Sequence, residues 1–153
     1  MKRMIEPLHH GDARTVIGVF NGLGDRSRRL RFNGPKPCLT RSELRELATI
    51  DDDRRALIAY AEDHGRPVGI ARLVRSGRGA DVAVAVIDQY QRRGIGSALI
   101  ADLAADARAA GVTELTALVS SGNTAALKLL RRVATALTVT YEGSELFVRA
   151  AIA

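Results

Sequence analysis

The densest cluster of chemistry-bearing residues in this chain is Gln91-Arg92-Arg93-Gly94-Ile95-Gly96-Ser97. Arg92 and Arg93 supply positive charge, Ser97 supplies a hydroxyl donor, and Gly94 and Gly96 carry no Cβ to keep a ligand away from the backbone. That combination suits a phosphate group, which needs N–H donors at close range and countercharge beside them. A helix opening at Gly94 adds to the site, because its first N–H groups lack internal partners and its macrodipole is positive there.

Other reactive side chains carry less. Cys38, the single cysteine, sits between Pro37 and Leu39 with no nearby histidine to activate it, and reads as a loop thiol. One cysteine cannot close an intrachain disulfide, which fits a reducing, cytoplasmic setting. Asp51-Asp52-Asp53 invites a metal reading. No glycine or bidentate glutamate follows at calcium-loop spacing, so an acidic turn before a strand is expected, and no metal site anywhere. His9 and His10 read as surface residues.

The elements that position these groups follow from periodicity. Residues 2–7 predict a short strand. Residues 11–23 predict a helix, with Ala13, Val16, Ile17 and Phe20 at helical spacing. Residues 25–32 are basic, with Leu30 and Phe32 as apolar anchors, and lead into a loop at 33–37. Thr40-Arg41-Ser42-Glu43 matches a capping box that opens a short helix ending near Thr49. Residues 55–61 and 67–74 predict a hairpin around His64-Gly65-Arg66. Residues 81–87 are continuously small and β-branched, as in a strand buried on both faces.

A helix then runs from about Gly94 to Ala110, with Ile95, Leu99, Leu103 and Ala107 on one face and Asp102 and Asp106 on another. Residues 114–119 predict a strand, Asn123 an N-cap for a helix to about Val133, and residues 137–141 and 146–150 a last pair of strands. The order is strand, two helices, three strands, helix, strand, helix, two strands. It predicts an α/β (α+β) fold: a mixed sheet of about seven strands flanked by about four helices.

Composition bounds the function classes. A chain of 153 residues is expected to form one domain over 1–153, with a self-sufficient core. No apolar run reaches the ~18 residues of a membrane span, and the basic start has no apolar stretch behind it, so neither membrane nor secretory signal is expected. Lys and Arg total 23 against 17 Asp and Glu, which raises the prior for an anionic partner. With 4% aromatic residues and no Trp, a stacking platform for single-stranded nucleic acid is poorly supplied. A nucleic-acid-binding reading therefore rests on charge alone. A phosphorylated cofactor is the better match.

Three phosphate sites compete for the glycine-containing loop. A nucleoside-triphosphate loop needs Gly-x-x-x-x-Gly-Lys-Ser/Thr, which is missing. A dinucleotide site needs a third glycine where Leu99 stands, in a unit near the chain start. Coenzyme A remains. Gln91-Arg92-Arg93-Gly94-Ile95-Gly96 resembles the Gln/Arg-x-x-Gly-x-Gly/Ala motif of the GNAT superfamily of acyl-CoA-dependent N-acyltransferases. Asn123-x-x-Ala126-x-x-Leu129 is similar to that superfamily's second cofactor region, and the element order matches across nearly the whole chain. Residues 25–32, 40–47 and 51–54, with Ala80-Asp81-Val82-Ala83, look like the catalytic domain of bacterial Pat-type protein lysine acetyltransferases. Those enzymes often carry an extra regulatory domain, for which this sequence leaves no surplus.

The resemblance implies a mostly antiparallel sheet and roles for particular positions. Backbone groups around Val84, Ala85 and Val86 would bond the pantetheine arm and acetyl carbonyl of acetyl-CoA. N–H groups from Arg92 to Ala98, within Gln91–Ala98, would hold the pyrophosphate. Asn123 would lie near the pantetheine or the departing sulfur, a role compatible with N-capping. Many relatives place a Glu base where this chain has Asp81, one methylene shorter; the alternative for Asp81 is a turn acid. Glu62, Asp63 and His64 are other candidates. Many relatives also carry a tyrosine acid where Leu130 stands, with Gly-Phe in place of Ala134-Thr135; Tyr141 is a substitute candidate. The expected activity is acetyl transfer to an amine, a protein lysine first and a small amine second. An acyl-CoA-binding module without turnover is the alternative. A monomer or homodimer is expected.

Overall fold

The computed structural model describes residues 4–62 and 65–153. A seven-stranded sheet is built from β1 (Met4–Pro7), β2 (Arg54–Tyr60), β3 (Pro67–Ser76), β4 (Gly79–Val86), β5 (Glu114–Ser120), β6 (Ala136–Glu142) and β7 (Glu145–Ala151). Its order is β1-β2-β3-β4-β5-β7-β6. All neighbours are antiparallel except β4 and β5. That parallel pair needs a crossover, which α4 (Ile95–Ala109) supplies. The expected fold class is observed. Lys2 and Arg3 of the expected first strand, and Asp63 and His64 of the hairpin turn, lie outside the described residues.

Three helices precede β2, where periodicity predicts two: α1 (Ala13–Asn21), α2 (Asp25–Phe32) and α3 (Arg41–Ala48). With α4 and α5 (Thr124–Val133) they make five. The unforeseen helix is α2, the basic stretch. It has no fully buried residue, so no apolar stripe announces it. Its signals are electrostatic and conformational. Asp25 lies in its first turn, Arg29 and Arg31 in its last, and Asn33 closes it at φ 58, donating its N–H to the Arg29 carbonyl.

Other local signals act as expected. Thr40 and Glu43 form the capping box of α3, with Glu43 N–H donating to Thr40 Oγ1 at 3.1 Å and Thr40 N–H to Glu43 Oε1 at 2.9 Å. Asp51 terminates the acidic turn: its Oδ1 accepts from the N–H groups of Asp53 and Arg54, and its Oδ2 pairs with the Arg54 guanidinium. No group of acids able to hold a metal occurs among the described residues.

The larger core packs α4 and α5 on one face of the sheet, around Leu99, Ile100, Leu103, Leu115 and Val148. A smaller cluster of Leu8, Val16, Ala48, Ala56 and Ile58 packs α1 and α3 on the other. Two glycines permit these approaches. A Cβ on Gly69 of β3 would meet Leu99 Cδ1 at 3.0 Å, and one on Gly22 would overlap the side chain of Ile87.

Candidate active site

The site begins where two strands part. β4 and β5 pair only at Gly79–Glu114, Ala80–Leu115 and Asp81–Thr116. Beyond Asp81 they diverge, and a cleft opens between Val82–Val84 and Ala117–Val119. This explains a departure from expectation: residues 81–87 are not buried on both faces. Asp81 is exposed, and Ala83, Val84 and Val86 are half-buried because one neighbour is missing.

The ladder decides which backbone groups face the cleft. Ile87 N–H donates to the Val68 carbonyl at 2.9 Å. Alternation in an antiparallel pair then turns Ala83 and Ala85 toward β3, and Val84 and Val86 toward the gap. Ala85 therefore leaves the expected donor set; its backbone is committed to the sheet. The Val86 carbonyl is also taken, by Gln91 Nε2 at 2.9 Å. Val84 and the Val86 N–H remain.

Gln91 Nε2 braces the loop. Its amide also reaches Ser27 Oγ at 3.1 Å, and Ser27 donates to Asp88 Oδ1 at 2.6 Å. The start of α2 is thereby tied to the short 3-10 turn Asp88–Tyr90 that follows β4. Arg92 adopts φ 62 and Gly94 φ 80, curling the chain so that α4 opens beside the cleft. The Arg93 guanidinium lies 4.8 Å over the Tyr90 ring.

The first helical hydrogen bond of α4 runs from Ala98 N–H to the Gly94 carbonyl at 3.0 Å. Ala98 is thus also removed from the expected donors, and Ile95, Gly96 and Ser97 retain N–H groups that no preceding turn uses. Gly96 has a packing reason as well: a Cβ there would meet Leu129 Cδ1 at 3.3 Å, so its smallness lets α5 approach α4. Asn123 caps α5 through Oδ1, which accepts from Ala126 N–H at 3.1 Å, while its side chain also lines the cleft.

Asp81 stands where the paired strands end. Thr116 Oγ1 donates to its Oδ1 at 3.2 Å. Burial pushes its carboxyl above the ordinary range, against the Thr116 hydrogen bond and the charges of Arg31 and Arg72. The side chain is exposed at the surface while its carboxyl is partly desolvated, as at the rim of a cleft. Leu130 lines the cleft where a tyrosine acid would stand. Tyr141 is 78% exposed on β6 and does not line the cleft, which removes it as a substitute. His10 Nδ1 accepts from Ile50 N–H at 3.0 Å and serves a loop.

Sequence reading missed Arg31. It projects from α2 to the cleft, and its guanidinium is desolvated between Arg72 and Asp81. Only the helix register of α2, unrecognised in the sequence, could have placed it.

A cleft between diverging parallel strands, with Asp81 at the last paired position and the first turn of α4 following β4, suits a long phosphorylated thioester. Consistent with it, residues 25–134 match the acetyltransferase (GNAT) family, and the chain belongs to that family. Members of that family are acetyltransferases that draw their acyl group from acetyl-CoA. Acetyltransferase Pat of Mycolicibacterium smegmatis is 34% identical over 128 residues, which cover 72% of this chain and 38% of that protein. The chain thus spans well under half the length of that relative. The GNAT domain of S. lividans PAT superposes with a TM-score of 0.83 at 26% identity, over 96% of this chain and 89% of that one. PaiA N-acetyltransferase from Thermoplasma acidophilum, in complex with coenzyme A, shares the fold at TM-score 0.70 and 17% identity, over 99% of each chain.

These residues fit the cofactor. The Ile95–Ser97 amides and the Arg92 charge would take the pyrophosphate. Val84 and the Val86 N–H would take the pantetheine and the thioester carbonyl, and Asn123 would stand near the sulfur. Bound acetyl-CoA supplies the activated acyl group.

Proposed function

We propose that this enzyme acetylates a protein lysine, with Asp81 as the base. The acceptor reading is supported by the similarity to Acetyltransferase Pat and to the PAT GNAT domain. The observation that carries the base is the position of Asp81 at the last paired residue before the cleft, with its carboxyl shifted upward.

An amine of ordinary pKa ~10 is mostly protonated at neutral pH, so a base must take a proton before it attacks the thioester carbon. A raised carboxyl pKa brings Asp81 closer to that task. Its short side chain relays the proton through water rather than touching the amine. Leu130 offers no acid, so sulfur departs as the thiolate, which a thiol pKa not far above neutrality allows.

The test is acetylation of lysine-containing proteins and of free small amines with acetyl-CoA, read by mass spectrometry. Modified lysines support the reading. Turnover on small amines alone replaces it with the small-molecule one. The basic surface favours lysines in acidic surroundings.

A further inference from the structure

Arg31 lies on the seam between two cavities. One is the β4–β5 cleft. The other lies under α1, α2 and α3 against β3 and β4, and Arg31 and Ala83 line both. The second cavity is walled by apolar side chains, among them Val16, Val19, Phe20 and Ile70, with Arg31 and Arg72 as its charged residues.

The two arginines differ. Arg72 is satisfied: its Nη2 donates to the Glu46 carboxylate at 2.9 Å and to the Glu46 carbonyl at 3.0 Å. The Arg31 guanidinium lies 4.7 Å over the Phe32 ring and has no hydrogen-bond acceptor among the described residues. It lines both cavities, so a ligand that enters either one meets it. Burial, then the like charge of Arg72, lowers its pKa to about 10, with Asp81 opposing. A guanidinium taken from water without an acceptor is costly, and a planar anion is the partner its fork is shaped for.

We propose that Arg31 is the receptor for a carboxylate delivered to the reaction centre, carried by one of the two reactants. This rests on the cleft being the reaction centre. The shared ligand chemistry has two sources: an acyl donor ending in a carboxylate, or a carboxylate on the amine acceptor. Continuity favours the donor. Ala83 and Arg31 line both cavities, so the terminal carboxylate of an acyl chain held at Val84 and passing Ala83 would meet Arg31. Helix α2 is held down over this path at both ends, by Ser27 on Asp88 and by Asn33 Nδ2 donating to the Leu118 carbonyl at 3.1 Å.

The experiment compares kcat/KM ratios in wild type, Arg31→Gln and Arg31→Lys. One arm uses succinyl-CoA against butyryl-CoA, with an α-blocked lysine amide as acceptor. The other uses acetyl-CoA with the α-blocked lysine acid against its amide. Acetyl-CoA titration of all three proteins checks folding and the cofactor site. A carboxylate preference in either arm that falls about 10- to 100-fold in Arg31→Gln, with Arg31→Lys intermediate, supports the receptor and names the source. Ratios near one in both arms of the wild type, or unmoved by Arg31→Gln, overturn it. Failure of wild type to bind acetyl-CoA overturns the underlying site reading instead, and the receptor with it.

Discussion

In the proposed mechanism Asp81 is the residue on which the chemistry turns, and its pH behaviour is determined by sign. A base acts only when deprotonated. Burial raises the Asp81 pKa, so the acid limb of the pH–rate profile should lie above the usual carboxylate range, with activity rising as pH climbs through it. Asp81→Asn should lower kcat by roughly 10²- to 10⁴-fold and leave the acetyl-CoA Kd unchanged; an unaltered kcat would move the role to another group. Stability runs the other way. A carboxyl whose folded pKa exceeds its unfolded one favours the fold at low pH, and that contribution is lost as pH rises through the folded value. At neutral pH Asp81→Asn should therefore melt no lower than the parent.

Gly94 belongs to the same scale. At φ 80 it occupies left-handed backbone, where any side chain is strained by about 1–2 kcal/mol. Gly94→Glu should also place a negative charge where the pyrophosphate is proposed to bind. Calorimetric titration should show acetyl-CoA binding abolished, with the far-UV spectrum retained. Wild-type affinity in this variant would detach the loop from the cofactor.

At the scale of elements, α3 shows how a local signal becomes stability. Thr40→Ala removes one half of its capping box and should cost about 1 kcal/mol in urea unfolding. Glu43, the other half, is bonded to Lys36 and to the Thr40 N–H, which hold its pKa down at about 2. Because that pKa is depressed, the stabilisation is present above the usual 4.5 and lost as pH falls toward 2. The difference between wild type and Glu43→Gln should be largest at neutral pH and vanish in strong acid; a difference that persists there would assign it to packing.

Helix α2 is the opposite case. It is held by distant partners, Asp88 and β5, rather than by an apolar stripe. Arg28 reaches the Pro37 and Phe20 carbonyls and lies 4.1 Å over the Phe20 ring. None of those contacts is legible from residues 25–32 alone.

For the whole molecule, the two clusters on opposite faces meet the sheet at points where only glycine fits. Gly22→Ala should drive a methyl group into Ile87, which is fully buried, and cost roughly 1–3 kcal/mol by overpacking. Denaturant midpoints would show it. No loss would mean that the end of α1 shifts freely. No described helix is long and apolar enough to cross a membrane.

Much was written in the sequence because the signals are short-range. Period-2 and period-3.6 patterns, the Thr40–Glu43 box, the Asn123 cap and the Gln91–Gly96 motif each lie within a few residues. They determined the strands, four of the helices and the turn that opens α4, the proposed cofactor loop. The tertiary structure decided what depends on partners far apart in the chain. The parting of β4 from β5 beyond Asp81 requires two strands joined only through α4. That divergence, not the strand's own residues, leaves Val84 free while β3 claims Ala85. Helix register withdrew Ala98, and the packing of α5 gave Gly96 a packing reason as well. Arg31 became visible only when α2 was laid across the cleft, because a side chain's desolvation is a property of what the fold brings over it.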